Sequence, residues 1–307
     1  MRLLTFRREG VASLGAAMGD DVLDLPGAAA ATDIADWPPD LDLRAFLGMG
    51  ESALDKARRT IAAVEEKLRR GDGGHFASRG LLFPRDTVKL LAPVPNPSKI
   101  VAIGLNYRDH AREQGVPIPD RPIIFAKFPT SVIGPGDTIT WDPALTQQVD
   151  YEAELAFVIG KTARNVAEKD AFTYVAGYTC ADDVSARDLQ FGDRQWVRGK
   201  SLDTFCPLGP VLVTADEIPD PHNLAIRAVL NGRVMQDSST AELIFGVAAL
   251  VAFISRAFTL LPGDVVLTGT PHGVGVFRDP PLFLKDSDRI AVEIERIGRL
   301  ENDCRTL

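Results

Sequence analysis

The segment from Val149 to Gly160 constrains the fold more than any other part of the chain. Read with the period of two that a β-strand has, one of its faces is apolar throughout. The opposite face begins with Asp150, Glu152 and Glu154 and then becomes apolar as well. A strand that is apolar on both faces at one end is buried there, so the segment predicts a strand inside a sheet.

The carboxylates of this strand lie next to its buried end, which is unfavourable unless water or a cation neutralises them. A solvated strand end is one interpretation. A second acidic pair, Asp182 and Asp183, follows the apolar strand Tyr174–Thr179, where an aspartate that caps a helix is the simple alternative. If the two strands are neighbours, the carboxylates form a site of oxygen ligands, which suits Mg²⁺ or Mn²⁺ and disfavours zinc.

The remaining pattern is mainly one of short strands with few helices. Helical spacing of apolar residues marks Glu51–Arg70, Tyr107–Gln114 and Ile244–Phe258. Short apolar runs bounded by turn residues predict further strands at Arg2–Phe6, Val11–Met18, Val22–Leu25, Ile100–Ile103, Ile123–Phe128, Leu224–Leu230, Val265–Leu267 and Ile290–Ile294. The class predicted is therefore α+β, dominated by β-structure.

A proline-rich stretch, Leu90–Lys99, interrupts the chain with Pro93, Pro95 and Pro97. Proline neither continues a helix nor donates to a sheet, so this stretch predicts a boundary. We expect a small N-terminal α+β domain over residues 1–92 and a larger catalytic domain over residues 98–307.

Charge and cysteine content exclude several partners. The chain of 307 residues has a net charge of −8, which offers no basic field for nucleic acid. Its 3 cysteines are far apart and form no CxxC pair, which argues against disulfides and a thiolate zinc site and favours the cytoplasm. No apolar run reaches the ~18 residues that span a bilayer, so we expect no membrane association.

His110 and Glu113 form the clearest candidate for acid–base chemistry. They lie three residues apart on a predicted helix that ends at Gly115, hence on one face, where the carboxylate can orient the imidazole. A solvent-exposed pair at the same spacing is the open alternative. His75, His222 and His272 lack such a partner nearby.

Nucleotide-binding motifs are absent. Gly199-Lys200-Ser201 ends like a phosphate-binding loop, but Arg194 stands where that loop needs a glycine. The segment Gly269–Gly275 is glycine-rich, yet Pro271 interrupts it and no dinucleotide fingerprint results. No GxSxG is present either. We therefore expect no nucleotide cofactor.

Taken together, several motifs resemble the fumarylacetoacetate hydrolase family, in particular its bacterial branch of acylpyruvate hydrolases and 2-hydroxyhepta-2,4-diene-1,7-dioate isomerases. The motifs are IGLNYRDHAREQG, VDYEAELAFVIGK, ADDVSARDLQ, RGKSLDTFCPLGP, NGRVMQDSST and LLPGDVVLTGTPHGVG, and they run from about Lys99 to near the C-terminus. The resemblance implies a mixed β-sandwich roll, a homodimer and one divalent cation, Mg²⁺ or Mn²⁺, in each subunit.

The resemblance also implies roles for individual residues. The metal ligands are Glu152, Glu154 and Asp183, and the catalytic residues are His110, Glu113 and Lys200, while Gln190, Thr270, Lys127 and Arg187 contact substrate. The fumarylacetoacetate-cleaving members use a further aspartate before the histidine, but Asn106 stands here. This departure disfavours fumarylacetoacetate itself as the substrate.

The function expected first is hydrolysis of a carbon–carbon bond in an acylpyruvate such as fumarylpyruvate, in the catabolism of aromatic or sugar-derived acids. The alternative is isomerisation of a 2-hydroxymuconate-type acid or decarboxylation of a 2-oxo diacid such as oxaloacetate, because all these reactions form a metal-stabilised enolate. A non-catalytic metal-binding protein is a third reading. The segment Tyr107–Asp120 is expected to act as a lid.

Overall fold

The computed structural model describes all residues, 1–307, and is rich in β-strands. The strands are β1 (Arg2–Arg8), β2 (Val11–Met18), β3 (Asp21–Asp24), β4 (Leu82–Pro84), β5 (Lys89–Leu91), β6 (Ile100–Gly104), β7 (Ile123–Lys127), β8 (Val132–Ile133), β9 (Thr138–Trp141), β10 (Val149–Asp150), β11 (Ala153–Ile159), β12 (Val175–Asp182), β13 (Ser185–Ala186), β14 (Cys206–Thr214), β15 (Ala225–Leu230), β16 (Arg233–Ser239), β17 (Val265–Leu267), β18 (Arg289–Ile294) and β19 (Gly298–Thr306).

The helices are short except for one. They are α1 (Leu25–Ala31), α2 (Leu43–Gly48), α3 (Glu51–Arg69), α4 (Gly74–Ser78), α5 (Arg108–Gln114), α6 (Arg187–Gly192), α7 (Val197–Lys200) and α8 (Val247–Ala257). Single 3₁₀ turns lie at Arg85–Thr87, Pro129–Ser131, Ala215–Glu217, Thr240–Glu242 and Gly275–Phe277, and a longer one at Glu168–Tyr174. None of the helices combines the length and the apolar character that crossing a bilayer requires.

Two mixed sheets carry the fold. The larger has the order β4-β3-β2-β1-β14-β12-β11-β17-β6-β7, with β5 beside β1 and β8 beside β14. The smaller has the order β16-β15-β18-β19-β9, and β10 and β13 form a separate pair. The predicted α+β class and its mixed sheets, dominated by strands, are confirmed.

Strand β11 lies in the larger sheet between β12 and β17, and each of its seven residues is buried. Leu155 and Phe157 pack in the core that also contains Ile226 and Val292 of the smaller sheet. Ala156 faces the opposite way, into a second core beneath the N-terminal helices. The alternating pattern of the sequence therefore corresponds to two apolar layers on either side of one strand.

The predicted strand over Val149–Gly160 is wrong at one point, because it is interrupted at Tyr151 and Glu152 between β10 and β11. The amide of Glu152 donates to Oδ1 of Asp182 at 2.9 Å instead of to a neighbouring strand. A hydrogen bond to a side chain thus replaces the backbone hydrogen bond between strands at this position. The interruption lies where the acidic residues cluster.

The N-terminal strands continue the larger sheet. Arg2 and Leu3 of β1 pair with Val213 and Leu212 of β14, and both hydrophobic cores contain residues from before and after the proline-rich stretch. The strand β14 itself was not predicted, although all nine of its residues are buried. The division into residues 1–92 and 98–307 stays a prediction.

Candidate active site

The three predicted metal ligands lie together. One carboxylate oxygen from each of Glu152, Glu154 and Asp183 can be chosen so that all lie within 4.8 Å of one another, and all three residues are buried. The antiparallel pairing of β11 with β12, in which Ala153 faces Asp182, brings the two acidic segments together. The alternative role of Asp183 as a helix cap does not apply, since Ala186 is the residue before α6.

Two lysines and one arginine hold these carboxylates. Nζ of Lys200 lies 2.7 Å from Oε2 of Glu152 and 2.9 Å from Oδ2 of Asp183. Nζ of Lys127 donates to Oδ1 of Asp183 at 2.6 Å, and Nη1 of Arg187 lies 2.7 Å from Oε1 of Glu152. Glu152 and Asp183 are therefore each compensated by two cations.

Glu154 has no such cation. The only hydrogen bond to its carboxylate comes from the amide of Gly269, at 2.6 Å from Oε2. Burial, together with the charges of Asp183 and Glu152, raises the pKa of Glu154 well above its ordinary value. Burial also opposes the ionisation of Glu152, but the charges of Lys200 and Arg187 outweigh it and lower its pKa to about 2.

The site has more buried carboxylates than cations. From β10 through β11 and at the end of β12, the buried acidic residues are Asp150, Glu152, Glu154, Asp182 and Asp183, and the buried basic residues paired with them are Lys127, Arg187 and Lys200. With every group ionised, five negative and three positive charges leave a charge of minus two, which one divalent cation neutralises. Because the available ligands are all carboxylate oxygens, the residues fit Mg²⁺ or Mn²⁺.

Asp182 shows the same excess of negative charge. Its Oδ1 accepts from the amide of Glu152, while its buried Oδ2 has no hydrogen-bond partner. Burial raises the pKa of Asp182 to about 7. Asp182 therefore adds a second incompletely compensated carboxylate, next in the chain to the ligand candidate Asp183.

His110 and Glu113 form a hydrogen-bonded pair within α5, in which His110 is buried and Glu113 partly buried. Nδ1 of His110 lies 2.8 Å from Oε2 of Glu113, whose Oε1 accepts the amide of Gly273 at 2.8 Å. A carboxylate on Nδ1 requires the proton on that nitrogen and leaves Nε2 free to accept. The side-chain amide of Gln114 donates to Nε2 at 2.7 Å. The alternative of a solvent-exposed pair is wrong, because the His110 side chain is 8% exposed.

A single cavity of about 230 Å³ joins the two groups. His110, Glu152, Glu154, Arg187 and Lys200 all contribute to its wall. The basic nitrogen and the acidic cluster therefore face the same space. This arrangement allows an acid bound at the carboxylate cluster to exchange a proton with His110.

The four residues predicted to contact substrate differ in position. Gln190, Thr270 and Arg187 line the cavity, whereas Lys127 is buried behind Asp183 and does not. The Thr270 hydroxyl donates to the carbonyl of Ala153 at 3.0 Å. Gln190 uses its Oε1 to accept from Arg187 at 3.0 Å, which leaves its NH₂ group as a donor to the cavity. Their roles toward substrate stay predictions.

Two buried side chains that support the site were not recognised from the sequence. Gln236 accepts the amide of Ala153 and donates to Thr270 and to the carbonyl of Pro271, each at 2.8 Å. Asp150 accepts the amides of Gly275 and Val276. Their partners are 34 to 126 residues away in sequence, so no local spacing could have identified them.

Asn106 links the segment that follows β6 to the backbone of two distant segments near the site, at Phe245 and Thr268. Its side chain donates to the carbonyls of Phe245 and Thr268 and accepts the amide of Phe245. All of its hydrogen bonds therefore go to the backbone. It takes no part in the acidic cluster.

The family model for the C-terminal domain of fumarylacetoacetate hydrolase matches residues 99–305. Oxaloacetate tautomerase fahd2, mitochondrial, from Xenopus laevis is 49% identical over 274 residues, which cover 88% of this chain and 81% of the relative.

Two solved structures are also similar. The fumarylacetoacetate hydrolase of Exiguobacterium antarcticum has 35% identity and a TM-score of 0.81, with 100% of both chains covered. The maleylpyruvate hydrolase of Sphingobium sp. SYK-6 has 31% identity and a TM-score of 0.76, again over 100% of both chains.

Proposed function

Since this chain belongs to the fumarylacetoacetate hydrolase family, we propose that it is a divalent-metal-dependent tautomerase that interconverts the enol and keto forms of oxaloacetate. The observation that carries the proposal is that His110, oriented by Glu113, faces the same small cavity as Glu152 and Glu154, two of the three clustered carboxylates. The similarity to the Xenopus laevis oxaloacetate tautomerase favours this substrate. The hydrolase expected first from the sequence thus gives way to its alternative, the 2-oxo diacid.

Glu152, Glu154 and Asp183 would hold the cation, which, when bound, supplies positive charge that stabilises an enolate. Lys200 adds an ammonium beside the same carboxylates, so positive charge is already in place where the enolate oxygen forms. The free NH₂ group of Gln190 is available to a substrate carboxylate.

His110 moves the proton. In the direction from enol to keto, the hydroxyl proton at C2 is lost and a proton is added to C3, with no change of oxidation state. Nε2 accepts and delivers this proton, while Glu113 keeps Nδ1 protonated and stabilises the imidazolium that forms in between. Gln114 must leave Nε2 before the substrate can reach it.

Hydrolysis asks more of the same residues. Gln114 has to leave Nε2 in either reaction, but hydrolysis in addition needs a water molecule beside that nitrogen, placed to attack a carbonyl. The similarity to maleylpyruvate hydrolase nevertheless makes acylpyruvate hydrolysis the second candidate, at 31% identity compared with 49% for the tautomerase. Both reactions share the enolate and differ in the use of water.

The test uses chelator-treated protein to which Mg²⁺ or Mn²⁺ is returned. We expect metal-dependent loss of the absorbance of enol-oxaloacetate without formation of pyruvate or CO₂. Pyruvate and CO₂ from oxaloacetate would instead establish a decarboxylase, and pyruvate plus a free acid from fumarylpyruvate a hydrolase. The proposal is contradicted if the enzyme forms pyruvate and CO₂ from oxaloacetate, or cleaves fumarylpyruvate, and does not form keto-oxaloacetate.

Replacing the base sharpens this test. We expect His110→Ala to lower the metal-dependent rate by about 10²–10⁴-fold, the usual contribution of a general acid–base group. The matched control is His75→Ala, because His75 is exposed and outside the cavity. Equal rates for wild type and His110→Ala would remove His110 from the mechanism.

We also propose a homodimer, which the family resemblance implies, and a location in the cytoplasm, which the cysteine content favours. The Xenopus laevis relative is described as mitochondrial, so location in the cell needs its own measurement. Sedimentation equilibrium of the purified protein tests the dimer: a mass near 33.2 kDa contradicts it, and twice that mass supports it.

A further inference from the structure

The cavity has two chemically different parts. Charged side chains line part of it, and a wall of apolar side chains that includes Ile123, Phe125, Phe191 and Trp196 lines another part. The two parts meet where Nζ of Lys200 lies 5.2 Å from the centroid of the Phe125 ring. Phe125 and Trp196 pack edge to face with ring centroids 5.3 Å apart. A methyl group at Gly104 would lie 2.4 Å from the Trp196 ring, so this ring rests directly on the backbone of β6.

The cations of the cavity are already engaged. Arg187 is held by Asp150 and Glu152, and Lys200 by Glu152 and Asp183. The only cation in contact with the apolar wall is Lys200, beside Phe125, and its ammonium is paired with Glu152 and Asp183. A second carboxylate pointing toward this wall would meet apolar side chains and no unpaired cation, which disfavours it there relative to an apolar group. A hydrocarbon group there would instead gain free energy from burial.

Part of this wall is open to solvent. Phe191 is 56% exposed and Ile123 is 40% exposed, although both line the cavity. Apolar side chains that rim a cavity and remain exposed are characteristic of ligand-binding grooves. An apolar group on the substrate would cover them.

From these observations we propose that the enzyme also tautomerises 2-oxo monoacids that carry an apolar group at C3, with enol-phenylpyruvate as the representative. The proposal rests on the proposed function for its chemistry at His110 and goes beyond it in substrate class. The O–H bond at C2 of the enol breaks and a C3–H bond forms as C2 becomes a carbonyl. The phenyl ring lies against Phe125, Phe191 and Trp196, and nothing is oxidised or released.

The experiment compares enol-phenylpyruvate with enol-oxaloacetate on the metal-loaded full chain, each followed by the loss of enol absorbance above the buffer rate. We expect catalysis of both. Phe191→Ala should lower kcat/KM roughly tenfold more for phenylpyruvate than for oxaloacetate, because it removes apolar contact from one substrate only. Phe191→Arg should shift the preference further, since it places a cation in the wall.

The control variant is Phe172→Ala, which removes an aromatic ring of similar exposure from a 3₁₀ turn outside the cavity and should leave both rates unchanged. If phenylpyruvate is not turned over while oxaloacetate is, this inference is overturned and the proposed function stands. If only phenylpyruvate reacts, oxaloacetate is the wrong substrate and the inference stands. An equal loss for both substrates in Phe191→Ala would contradict the assignment of the wall.

Discussion

Asp150 in β10 and Glu154 in β11 are both buried and lie four residues apart, yet their surroundings are opposite. Asp150 accepts from three backbone amides and from Arg187, so its charge is fully compensated. Glu154 accepts a single amide and faces two other carboxylates. Burial alone therefore does not reveal a functional carboxylate.

The difference separates a structural from a functional role. The donors around Asp150 tie β10 to α6 and to the 3₁₀ turn that begins at Gly275. The negative charge around Glu154 has no counterpart in the chain, which stabilises a bound cation at the expense of the empty protein. Substitutions at the two positions should consequently change different quantities.

The largest effect is expected for Asp150→Ala. Removing this carboxylate leaves Arg187 buried with Glu152 as its one remaining carboxylate, and leaves three amides without their acceptor. Breaking a buried ion pair in this way costs about 3–5 kcal/mol of unfolding free energy. Urea denaturation measures it, with the exposed ion pair variant Asp237→Ala as control, for which a loss under ~1 kcal/mol is expected. Equal losses in the two variants would show that Asp150 is not structural.

The next effect concerns Glu154→Gln. We expect loss of metal-dependent activity by at least the ~10–100-fold that removal of an outer partner of a ligand costs. The protein without metal should unfold at the same or a higher temperature than wild type, because the substitution removes a buried carboxyl group whose ionisation no cation compensates.

Thermal unfolding with and without Mg²⁺ checks this contrast. Wild type should gain stability from the ion, whereas Glu154→Gln should gain little. A metal-free variant that is markedly less stable than wild type would mean that Glu154, like Asp150, serves the fold.

A smaller loss of stability is expected for Gln236→Ala. The Gln236 side chain bonds to the backbone of Ala153, next to Glu154, and not to either carboxylate. It leaves the amide of Ala153 and the carbonyl of Pro271 without their partner. Loss of such buried hydrogen bonds costs about 1–3 kcal/mol. Urea denaturation should place this variant between Asp150→Ala and the exposed control Gln147→Ala. A loss as small as that of the control would argue against a supporting role.

The smallest effect lies away from both positions, at the start of α8. Nε2 of His222 accepts the amide of Val247 at 3.0 Å, which only the neutral imidazole can do. Burial lowers the pKa of His222 below its ordinary 6.5. A lowered pKa in the folded state means that this contribution is present above pH 6.5 and is lost as the pH falls through the folded value.

Comparing wild type with His222→Ala over pH isolates this contribution. At pH 8 wild type should be more stable by about 1 kcal/mol, the usual value of a helix cap. The difference should narrow as the pH falls below 6.5. A difference that does not depend on pH would show that the imidazole acts by packing alone.

Much of the site could be predicted because its residues are close in sequence. Glu152 and Glu154 share one segment, and His110 and Glu113 share one turn of helix, so spacing and the family resemblance identified them. From the sequence, Asp183 could join the other two carboxylates only if its strand was a neighbour of theirs. The structure shows that β12 does pair with β11. Gln114 is next to the predicted pair, yet its contact depends on a side-chain orientation that spacing does not reveal.

The fold was harder to predict wherever prolines and distant partners decide the structure. Strand β14 contains Pro207 and Pro210, which disfavour a strand in sequence, but it is accommodated by a register shift against β12 between Tyr178 and Cys180. Its pairing with β1 joins Arg2 to Val213, which are 211 positions apart in the chain. Such a contact leaves no periodic signal in either segment.

The pairing of β1 with β14 also has a consequence for biosynthesis. Residue 2 meets residue 213 in the finished sheet, so at ~5–20 residues per second the ribosome needs roughly 10–40 s to supply the partner. Leu3 and Leu4 are fully buried in the folded protein. During that interval β1 lacks its partner strand β14, so these side chains are not yet fully covered. The nascent chain is most exposed to aggregation then, and the early strands are where a chaperone would be of use.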